Sequence, residues 1–301
     1  MELNMYGRIN KRAVFLNPMI PLHQKPILCL LKTTQYEHYK SNGLWKKLSP
    51  ERKSCLLKEY QQHRLFIDQF KKTIRKLGLN VTFTKKAADI NKKYTMIMTI
   101  GGDGTFLDAA QYSWDIPLLG LNSNYQENKK LGSVGALTSI NHTNLWERLK
   151  KIKDNVYHLH KAARLSVTIN GGKVKQTAIN DIFMGNEKSY KSSDISVIWN
   201  KKKERFNCSG MIICSPIGSK AWYRNAGGKP FSDNELAFLI RDPNIDRQPA
   251  FHKGVAQKLM IYPNTHNHIL SFDSQENIIK LQPTDKIEVK LGKEIVTIIR
   301  F

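Results

Sequence analysis

The most informative segment of the chain is Met98-Thr99-Ile100-Gly101-Gly102-Asp103-Gly104-Thr105-Phe106-Leu107. The apolar run 94–100 that leads into it predicts a buried strand, and residues 105–110 after it have helical propensity. A strand, a glycine turn and a helix in this order direct backbone N–H groups toward a phosphate, and the positive end of the helix adds to the attraction. Glycines allow the phosphate to approach the backbone closely. We therefore predict a phosphate-binding turn here.

Asp103 is the carboxylate in this turn. A carboxylate beside phosphate-binding amides is electrostatically unfavourable unless it holds Mg²⁺ or takes a proton from an attacking hydroxyl. The alternative is an ordinary tight turn in which Asp103 caps a helix. Because a hydrophobic strand precedes the turn and a helix follows it, we favour phosphoryl chemistry.

The length and composition describe a folded protein with room for two domains. The chain has 301 residues, of which 41% are hydrophobic and 24% charged. The sequence contains no apolar run near the ~20 residues that a membrane span needs. Residues 1–12 are basic without a following apolar segment, so no secretory signal is predicted, and they match a matrix-targeting segment only weakly. We expect a cytoplasmic protein without a membrane anchor, with the mitochondrial matrix as the alternative.

The charge balance indicates an anionic partner. Lys and Arg number 48 against 25 Asp and Glu, a formal net charge of +23. Such an excess attracts polyanions, nucleic acid among them. The lysines are spread along the chain, however, and neither a zinc-finger spacing nor an aromatic RNA-binding signature is present. We therefore expect anionic small molecules rather than nucleic acid, and no resident metal held by cysteine or histidine clusters.

The first half alternates strands and helices. Strands are predicted at 26–32, 79–84, 94–100 and 116–121, and a helix is predicted to start at Ser49-Pro50 and to end at Gly78. A shorter helix is predicted over 145–152. This order is typical of a doubly wound parallel sheet, whose ligands bind at the carboxyl ends of the strands. The polar segment 122–137 follows a strand end, so we expect it beside the site.

From Val156 the pattern changes to short alternating strands. A hairpin is predicted from 165–169 and 174–183, and another from 195–199 and 204–206. Further strands are predicted at 211–214, 236–240, 258–262, 269–273, 287–291 and 295–299. The chain is thus predicted to hold an α/β nucleotide-binding domain over 1–140 and an all-β domain over 141–301.

Two further stretches carry polar residues suited to a ligand. Ser209 to Trp222 is again a strand, a turn of small residues and a helix start, and it is followed by the pair Gly227-Gly228. Asn180 and Asp181 lie within an apolar strand, where buried polar groups need partners. A ligand with hydroxyl groups would supply such partners. An internal network that ties two strands together is an equal alternative on sequence alone.

Together these three stretches resemble the NAD kinase family. That family has a Gly-Gly-Asp-Gly-Thr loop, here Gly101 to Thr105, and then a pair of Asn and Glu or Asp on a strand, here Asn180-Asp181. Its third motif is a Gly-rich stretch that ends in Gly-Gly, here Gly210 to Gly228. The resemblance runs from about residue 25 to the C-terminus, and the Ser-Gly opening at Ser209 looks most like the mitochondrial-type branch. The first motif is shared with diacylglycerol and sphingosine kinases. A lipid kinase, or a basic nucleotide- or RNA-binding relative without catalysis, therefore remains an alternative.

The resemblance implies an ATP-dependent NAD kinase with a β-sandwich-like second domain and a site between the domains. It makes Asp103 the base that takes the proton of the 2′-hydroxyl on the adenosine ribose of NAD. The residues that it assigns to ATP phosphates, to NAD or to the dinucleotide pocket are Gly101, Gly102, Gly104, Thr105, Asn180, Asp181, Ser209, Ser215, Gly218, Ser219, Lys220 and Ala221. Ser209 stands where most of the family has Asp. Mg²⁺ is expected to accompany ATP, no protein metal site is expected, and a homo-oligomer, with a dimer favoured, is the expected assembly.

Overall fold

The computed structural model describes residues 26–125, 135–232 and 234–301. The predicted features of the first 25 residues, and the middle of the polar segment 122–137, lie outside the described residues. Within the described ranges, no helix is long and apolar enough to cross a membrane.

The first half of the chain forms a parallel sheet. Its strands are β1 (Ile27–Leu31), β2 (Val81–Thr84), β3 (Met96–Gly101) and β4 (Leu118–Asn122). They lie in the order β2-β1-β3-β4, and each neighbouring pair is parallel. β1, β3 and β4 are almost wholly buried, which is why they read as continuous apolar runs rather than alternating ones. The four predicted strands are confirmed.

Helices cover both faces of this sheet. They are α1 (Gln35–Ser41), α2 (Pro50–Leu77), α3 (Asp103–Ala110) and α4 (Leu145–Lys153). The ends of α2 are set by local chemistry, because the Ser49 hydroxyl accepts the N–H of Arg52 and Gly78 ends the helix at φ 69°. α2 and α4 share one apolar core with the sheet, and α3 packs in a second core on the opposite face. The predicted doubly wound arrangement is therefore confirmed.

The second half is rich in strands, as predicted. Its elements are β5 (His158–Ile169), β6 (Gly172–Ala178), β7 (Asp181–Asn186), β8 (Ser193–Trp199), β9 (Lys202–Cys208), β10 (Gly210–Cys214), α5 (Trp222–Asn225), β11 (Leu236–Arg241), β12 (Lys253–Ala256), β13 (Lys258–Pro263), β14 (His268–Phe272), β15 (Ile279–Leu281) and β16 (Ile287–Arg300). One sheet has the order β12-β11-β10-β7-β14-β15, and the remaining strands extend the parallel sheet of the first half. Apolar side chains of both sheets, among them Val167 and Ile213, share one core, so this half is a sandwich.

The predicted strand 174–183 is wrong. β6 ends at Ala178, and β7 begins at Asp181 in the other sheet. At this crossing the backbone N–H groups of Ile179 and Asn180 are bonded to the carboxylate of Asp273 rather than to a neighbouring strand. Only the end of β6, Thr177 and Ala178, is buried, and it leads directly into the largely buried strand β7, so the local pattern gave no sign of the change of sheet.

The two strands predicted at 287–291 and 295–299 are one strand, β16, with a register shift between Leu291 and Ile295 against β5. Such an irregularity breaks the alternation that sequence analysis depends on. Near its end β16 also pairs in parallel with β4, through Ile298 and Leu118. The last strand of the chain thus joins the sheet of the first half, while the division of domains at residue 140 stays a prediction.

Candidate functional site

The glycine turn connects β3 to α3. Gly101 is the last residue of β3, Gly102 is the N-cap of α3, and Asp103 is its first residue. A Cβ atom on Gly101 would lie 2.2 Å from Oγ1 of Thr105, so the turn needs glycine at this position. The first N–H groups of a helix have no partner within the helix, and the helix dipole makes this end positive. The turn can therefore donate backbone N–H groups to an anion.

Asp103 is half-buried and is bonded to the segment after β4. Its Oδ2 accepts the backbone N–H of Ala136 at 3.0 Å, and its Oδ1 accepts that of Leu137 at 2.9 Å. Each carboxylate oxygen has two acceptor positions, so both retain capacity for a further hydrogen bond. The described end of the polar segment thus lies beside Asp103, as predicted.

Arg300, near the end of β16, donates hydrogen bonds to the backbone carbonyl groups of the same segment. Its Nη1 donates to the carbonyls of Leu137 and Thr138 at 3.2 Å each, and its Nη2 donates to the carbonyl of Ala136 at 3.3 Å. Burial lowers the pKa of Arg300, and the negative charge of Asp103 acts in the opposite direction. A cation and an anion therefore lie on either side of one short piece of backbone.

Asp273 organises the crossing between β6 and β7. Its Oδ2 accepts the N–H of Ile179 at 2.8 Å, while its Oδ1 accepts the N–H groups of Asn180 at 2.7 Å and Asp181 at 3.2 Å. The pair Asn180-Asp181 is thus held by an internal network, which was one of the two readings that the sequence allowed. The network fixes the backbone of the pair, and Asn180 remains half-buried.

Asp181 and Asp273 form a buried pair of carboxyl groups. Burial, with the neighbouring charge of Asp273, raises the pKa of Asp181 to about 7. Burial also raises the pKa of Asp273, to about 6, but its three N–H donors and the guanidinium of Arg164 oppose this. The two carboxyl groups are therefore coupled, and the hydrogen bonds and the cation at Asp273 favour its ionised form more than that of Asp181.

The third stretch packs directly against the second. The N–H of Ser215 donates to the carbonyl of Asn180 at 3.0 Å, and the Ser215 hydroxyl donates to the carbonyl of Ile179. A Cβ atom on Gly218 would lie 1.9 Å from the Asn180 carbonyl oxygen, so the two backbones are in contact there. The structure therefore brings Asn180, Asp181, Ser215 and Gly218 together.

The neighbours of Gly218 have different surroundings. The Ser219 hydroxyl is buried and donates to the carbonyl of Pro216 at 2.7 Å, whereas Lys220 is exposed and Ala221 is half-buried. Ser219 thus fixes the turn itself. Lys220 places a cation at the surface of the turn.

Ser209 lies apart from these residues. It precedes β10 while Ser215 follows it, and six steps of extended chain separate the two by about 20 Å. Ser209 lines a different cavity of about 320 Å³, together with Cys208, Asp242 and Asn244. Ser209 thus lies at the opposite end of β10 from Ser215 and the residues that contact it.

A larger cavity, of about 720 Å³, lies beside α3. Its wall includes Gly104 and Thr105 of the glycine turn and three lysines, Lys32, Lys85 and Lys175. This volume lies in the range of small-molecule sites. Three cations and a helix N-terminus make the cavity suitable for a ligand with several negative charges.

α3 connects this cavity with the Asn180-Asp181 network. Gln111 follows the last residue of α3, lines the cavity, and donates from Nε2 to Asp273 Oδ2 at 3.3 Å and to the carbonyl of Thr177 at 3.2 Å. Seven residues of helix, about 10 Å, separate Gly104 from Gln111. The glycine turn and the second motif are therefore held at opposite ends of one short helix.

Sequence reasoning did not identify Gln111, Asp273 or Arg300. Asp273 had a weak signal, because it is a charged residue directly after an apolar strand. Gln111 and Arg300 had none, because the partners of Gln111 are 66 and 162 residues away in the chain and those of Arg300 are 161 to 164 residues away.

Comparisons with known proteins agree with this geometry. A family model described as the ATP-NAD kinase N-terminal domain matches residues 33–157, which include the glycine turn. A NAD kinase of Marinomonas sp. is 30% identical over 216 residues, which cover 64% of this chain and 67% of that protein. A NAD kinase of Corynebacterium glutamicum is 31% identical over 170 residues, or 54% of this chain. The aligned part is about half, 55%, of the Corynebacterium protein.

The fold is also similar to a solved structure. The crystal structure of a NAD kinase from Archaeoglobus fulgidus in complex with ATP superposes with a TM-score of 0.66, covering 91% of this chain and 92% of that one. The two sequences are 17% identical, so the likeness concerns the fold. The α/β half and the β-rich half thus occur together in both proteins.

Proposed function

Because the chain belongs to the NAD kinase family, we propose that it transfers the terminal phosphoryl group of ATP to the 2′-hydroxyl of the adenosine ribose of NAD, giving NADP. The observation that carries this proposal is the connection made by α3. The helix bears Asp103 at its start, and Gln111 after its end is bonded to the Asp273 network that holds Asn180 and Asp181.

Asp103 is proposed as the general base. The ribose oxygen attacks the γ-phosphorus, its proton passes to the Asp103 carboxylate, and the bond from the γ-phosphorus to the bridging oxygen breaks to release ADP. The N–H groups of Ala136 and Leu137 hold the carboxylate in one orientation, so a hydroxyl need only reach a remaining acceptor position. Such positioning and charge stabilisation are the main contributions of a protein to phosphoryl transfer.

The cavity beside α3 is proposed to bind ATP. Lys32, Lys85 and Lys175 provide positive charge, while Gly101, Gly102, Gly104 and Thr105 form the turn at which the phosphates would bind. A phosphate could approach the backbone of Gly104 closely, because the space beside this residue is open: nothing lies within 4 Å of a Cβ atom built on it.

The dinucleotide is proposed to lie against the second and third stretches. Asn180 and Asp181 would bind a ribose of NAD, with Ser215, Gly218, Lys220 and Ala221 lining the pocket. A protonated Asp181 can both donate and accept a hydrogen bond, which suits a ribose hydroxyl. Ser219 belongs to the same proposed pocket, whereas Ser209, at the other end of β10, would contact only a dinucleotide that extends along that strand.

Mg²⁺ is proposed to arrive with ATP rather than to reside in the protein. The described residues contain no group of three or more His, Cys, Asp or Glu able to hold a metal ion. Mg²⁺ bound to nucleotide phosphates needs only one or two carboxylates, and Asp108 lines the cavity with Gly104 and Thr105. The residues present therefore fit a metal shared with ATP, which would neutralise charge on the phosphates, with Asp108 as its protein ligand.

The assembly and the location are proposals as well. A homo-oligomer, with a dimer favoured, can be tested by light scattering of the purified chain. A cytoplasmic location, with the mitochondrial matrix as the alternative, can be tested by fractionation of cells that express it.

The activity is tested by incubating the purified protein with NAD, ATP and Mg²⁺ and measuring NADP with an NADP-specific dehydrogenase. We expect NADP to accumulate in proportion to enzyme, and to be lost when ATP or Mg²⁺ is omitted. Parallel reactions with polyphosphate as donor and with NADH as acceptor identify the preferred substrates.

Two controls address the alternatives. A diacylglycerol-type lipid kinase would phosphorylate dispersed diacylglycerol and leave NAD unchanged. A non-catalytic nucleic-acid-binding relative would bind RNA in a strongly salt-dependent manner and turn over no ATP. Either result would overturn the proposed function.

A further inference from the structure

Trp114 lines the large cavity that also includes Gly104 and Thr105 of the glycine turn. It follows α3 by four residues and is 37% exposed. Large aromatic side chains on a cavity wall bind flat, apolar ligand surfaces. A second observation is that this indole contacts a buried arginine.

Arg164, in the middle of β5, is fully buried and lies against the Trp114 ring. Its guanidinium carbon is 5.2 Å from the ring centroid, and its Nε donates to the carbonyl of Ile295 at 3.2 Å. Neither Nη1 nor Nη2 has a hydrogen-bond partner among the described residues. Burial lowers the pKa of Arg164 to about 10, with Asp273 and Glu294 opposing the shift, so the side chain stays cationic at neutral pH.

A buried cation with two unpartnered nitrogens is costly unless its surroundings compensate. Here the indole ring contributes a cation–π contact, and the charges of Asp273 and Glu294 are close enough to act on it. Arg164 covers one face of the indole. The other part of the ring is partly exposed, and Trp114 lines the cavity, so the indole combines a contact with a buried cation and an accessible surface.

We propose that Trp114, supported by Arg164, is the stacking platform for the purine base of an adenine nucleotide. This inference rests on the proposed function and specifies where the base binds. The phosphates would lie toward Gly104 and the lysines, because the same cavity contains both groups. Every base has a π-face, and stacking on an aromatic side chain is a common means of holding one.

Two amide side chains in the lining of the same cavity suit a purine. Gln176 and Asn277 line the cavity with Trp114, and each amide offers both donors and acceptors to the edge of a base. Gln111 also lines it, but its amide nitrogen is already bonded to Asp273 and to Thr177. We therefore assign base-edge contacts to Gln176 and Asn277.

The test compares ligands with and without a base. Equilibrium binding of ATP, NAD and inorganic tripolyphosphate is measured by calorimetry for the parent protein and for Trp114→Ala, Trp114→Phe and Trp146→Ala. Trp146 is the matched control, since it is 50% exposed on α4 and outside the cavity. We expect Trp114→Ala to weaken ATP binding roughly 10- to 100-fold and to leave tripolyphosphate binding unchanged.

Trp114→Phe should retain most of the affinity, and Trp146→Ala all of it. A selective loss of NAD affinity in place of ATP affinity would also support the platform and would assign it to the adenine of NAD. Unchanged binding of both nucleotides, or an equal loss for tripolyphosphate, would overturn the proposal. If Trp114→Ala does not fold, Trp114→Leu, which keeps apolar volume without a flat ring, decides by the same criteria.

These measurements need no turnover, so they are independent of the proposed reaction. A parent protein that binds ATP through Trp114 but forms no NADP would refute the activity and leave the platform standing. NADP formation that is normal in Trp114→Ala, with unchanged KM values, would refute the platform alone.

Discussion

Asp103 and Arg300 bind opposite edges of the same short segment of backbone, residues 136–138. The carboxylate accepts the N–H groups of Ala136 and Leu137, and the guanidinium donates to the carbonyls of residues 136, 137 and 138. One residue is in the first half of the chain and the other is next to last. The last strand therefore contributes to the orientation of the proposed base.

We predict that Arg300→Gln reduces turnover without removing substrate binding. Hydrogen bonds from a charged donor contribute about 1.5–3 kcal/mol, so losing them should loosen residues 136–138 and lower kcat roughly 10-fold, with smaller changes in KM. Hydrogen exchange provides the direct measurement, since the amides of Ala136 and Leu137 should exchange faster than in the parent protein.

Arg205→Gln is the matched control, because Arg205 forms an exposed ion pair with Asp194 in the second half of the chain. It should change neither kcat nor exchange at 136–138. Exchange in Arg300→Gln that equals that of the parent would show that Arg300 does not position Asp103. Rescue of kcat in Arg300→Gly by added guanidinium would support the positioning role.

Gly218→Ala is predicted to be strongly destabilising. The new methyl group would lie 1.9 Å from the carbonyl oxygen of Asn180, so one of the two backbones must move. Overpacking of this kind costs about 1–3 kcal/mol of unfolding free energy, and more where the obstacle is backbone. Denaturant unfolding measures the change, with Gly172→Ala as a control, since its nearest contact is an ordinary 3.4 Å. Equal stability of the two variants would contradict the close packing of the two motifs.

The Asp181 carboxyl group should make the protein less stable as pH rises. Its pKa is about 7 in the folded protein against an ordinary value near 4, so the unfolded state loses its proton first. The stabilisation from the protonated group is present below pH 4 and is lost as pH rises to about 7. Asp181→Asn should therefore gain about 1–3 kcal/mol of unfolding free energy relative to the parent between pH 4 and pH 8.

The measurement is urea unfolding at several pH values, with Asp154→Asn at an exposed position to correct for the loss of one negative charge. A difference in unfolding free energy between Asp181→Asn and the parent that stays constant with pH would mean that Asp181 is ionised over the whole pH range. In that case the pairing with Asp273 would need revision.

The sequence was sufficient to predict a helix or strand wherever local chemistry defines its ends. Ser49 and Gly78 mark both ends of α2, and the glycines at 101 and 102 mark the change from β3 to α3. These signals depend on hydrogen bonds and backbone angles within a few residues of each other. The doubly wound half and the predicted glycine turn follow from them.

The remaining features depend on contacts between distant parts of the chain. The crossing at Ile179 and Asn180 is stabilised by Asp273, more than 90 residues away, and the buried residues at the end of β6 are followed closely by the largely buried strand β7. The path of β16 alongside β4, and hence the place of Arg300, likewise has no local signal. Periodicity reports which residues are buried, but not which sheet buries them.

The central claim is that this chain forms NADP with Asp103 as the base, and the most direct measurement is kcat for NADP formation by the parent and by Asp103→Asn. Asn keeps the size of the side chain and one acceptor oxygen, so the variant should fold, as checked by thermal unfolding. We predict that the parent forms NADP and that kcat falls roughly 10²- to 10⁴-fold in the variant, which is the contribution of a general base. A folded Asp103→Asn protein with near-parental kcat, or a parent that forms no NADP, would contradict the account.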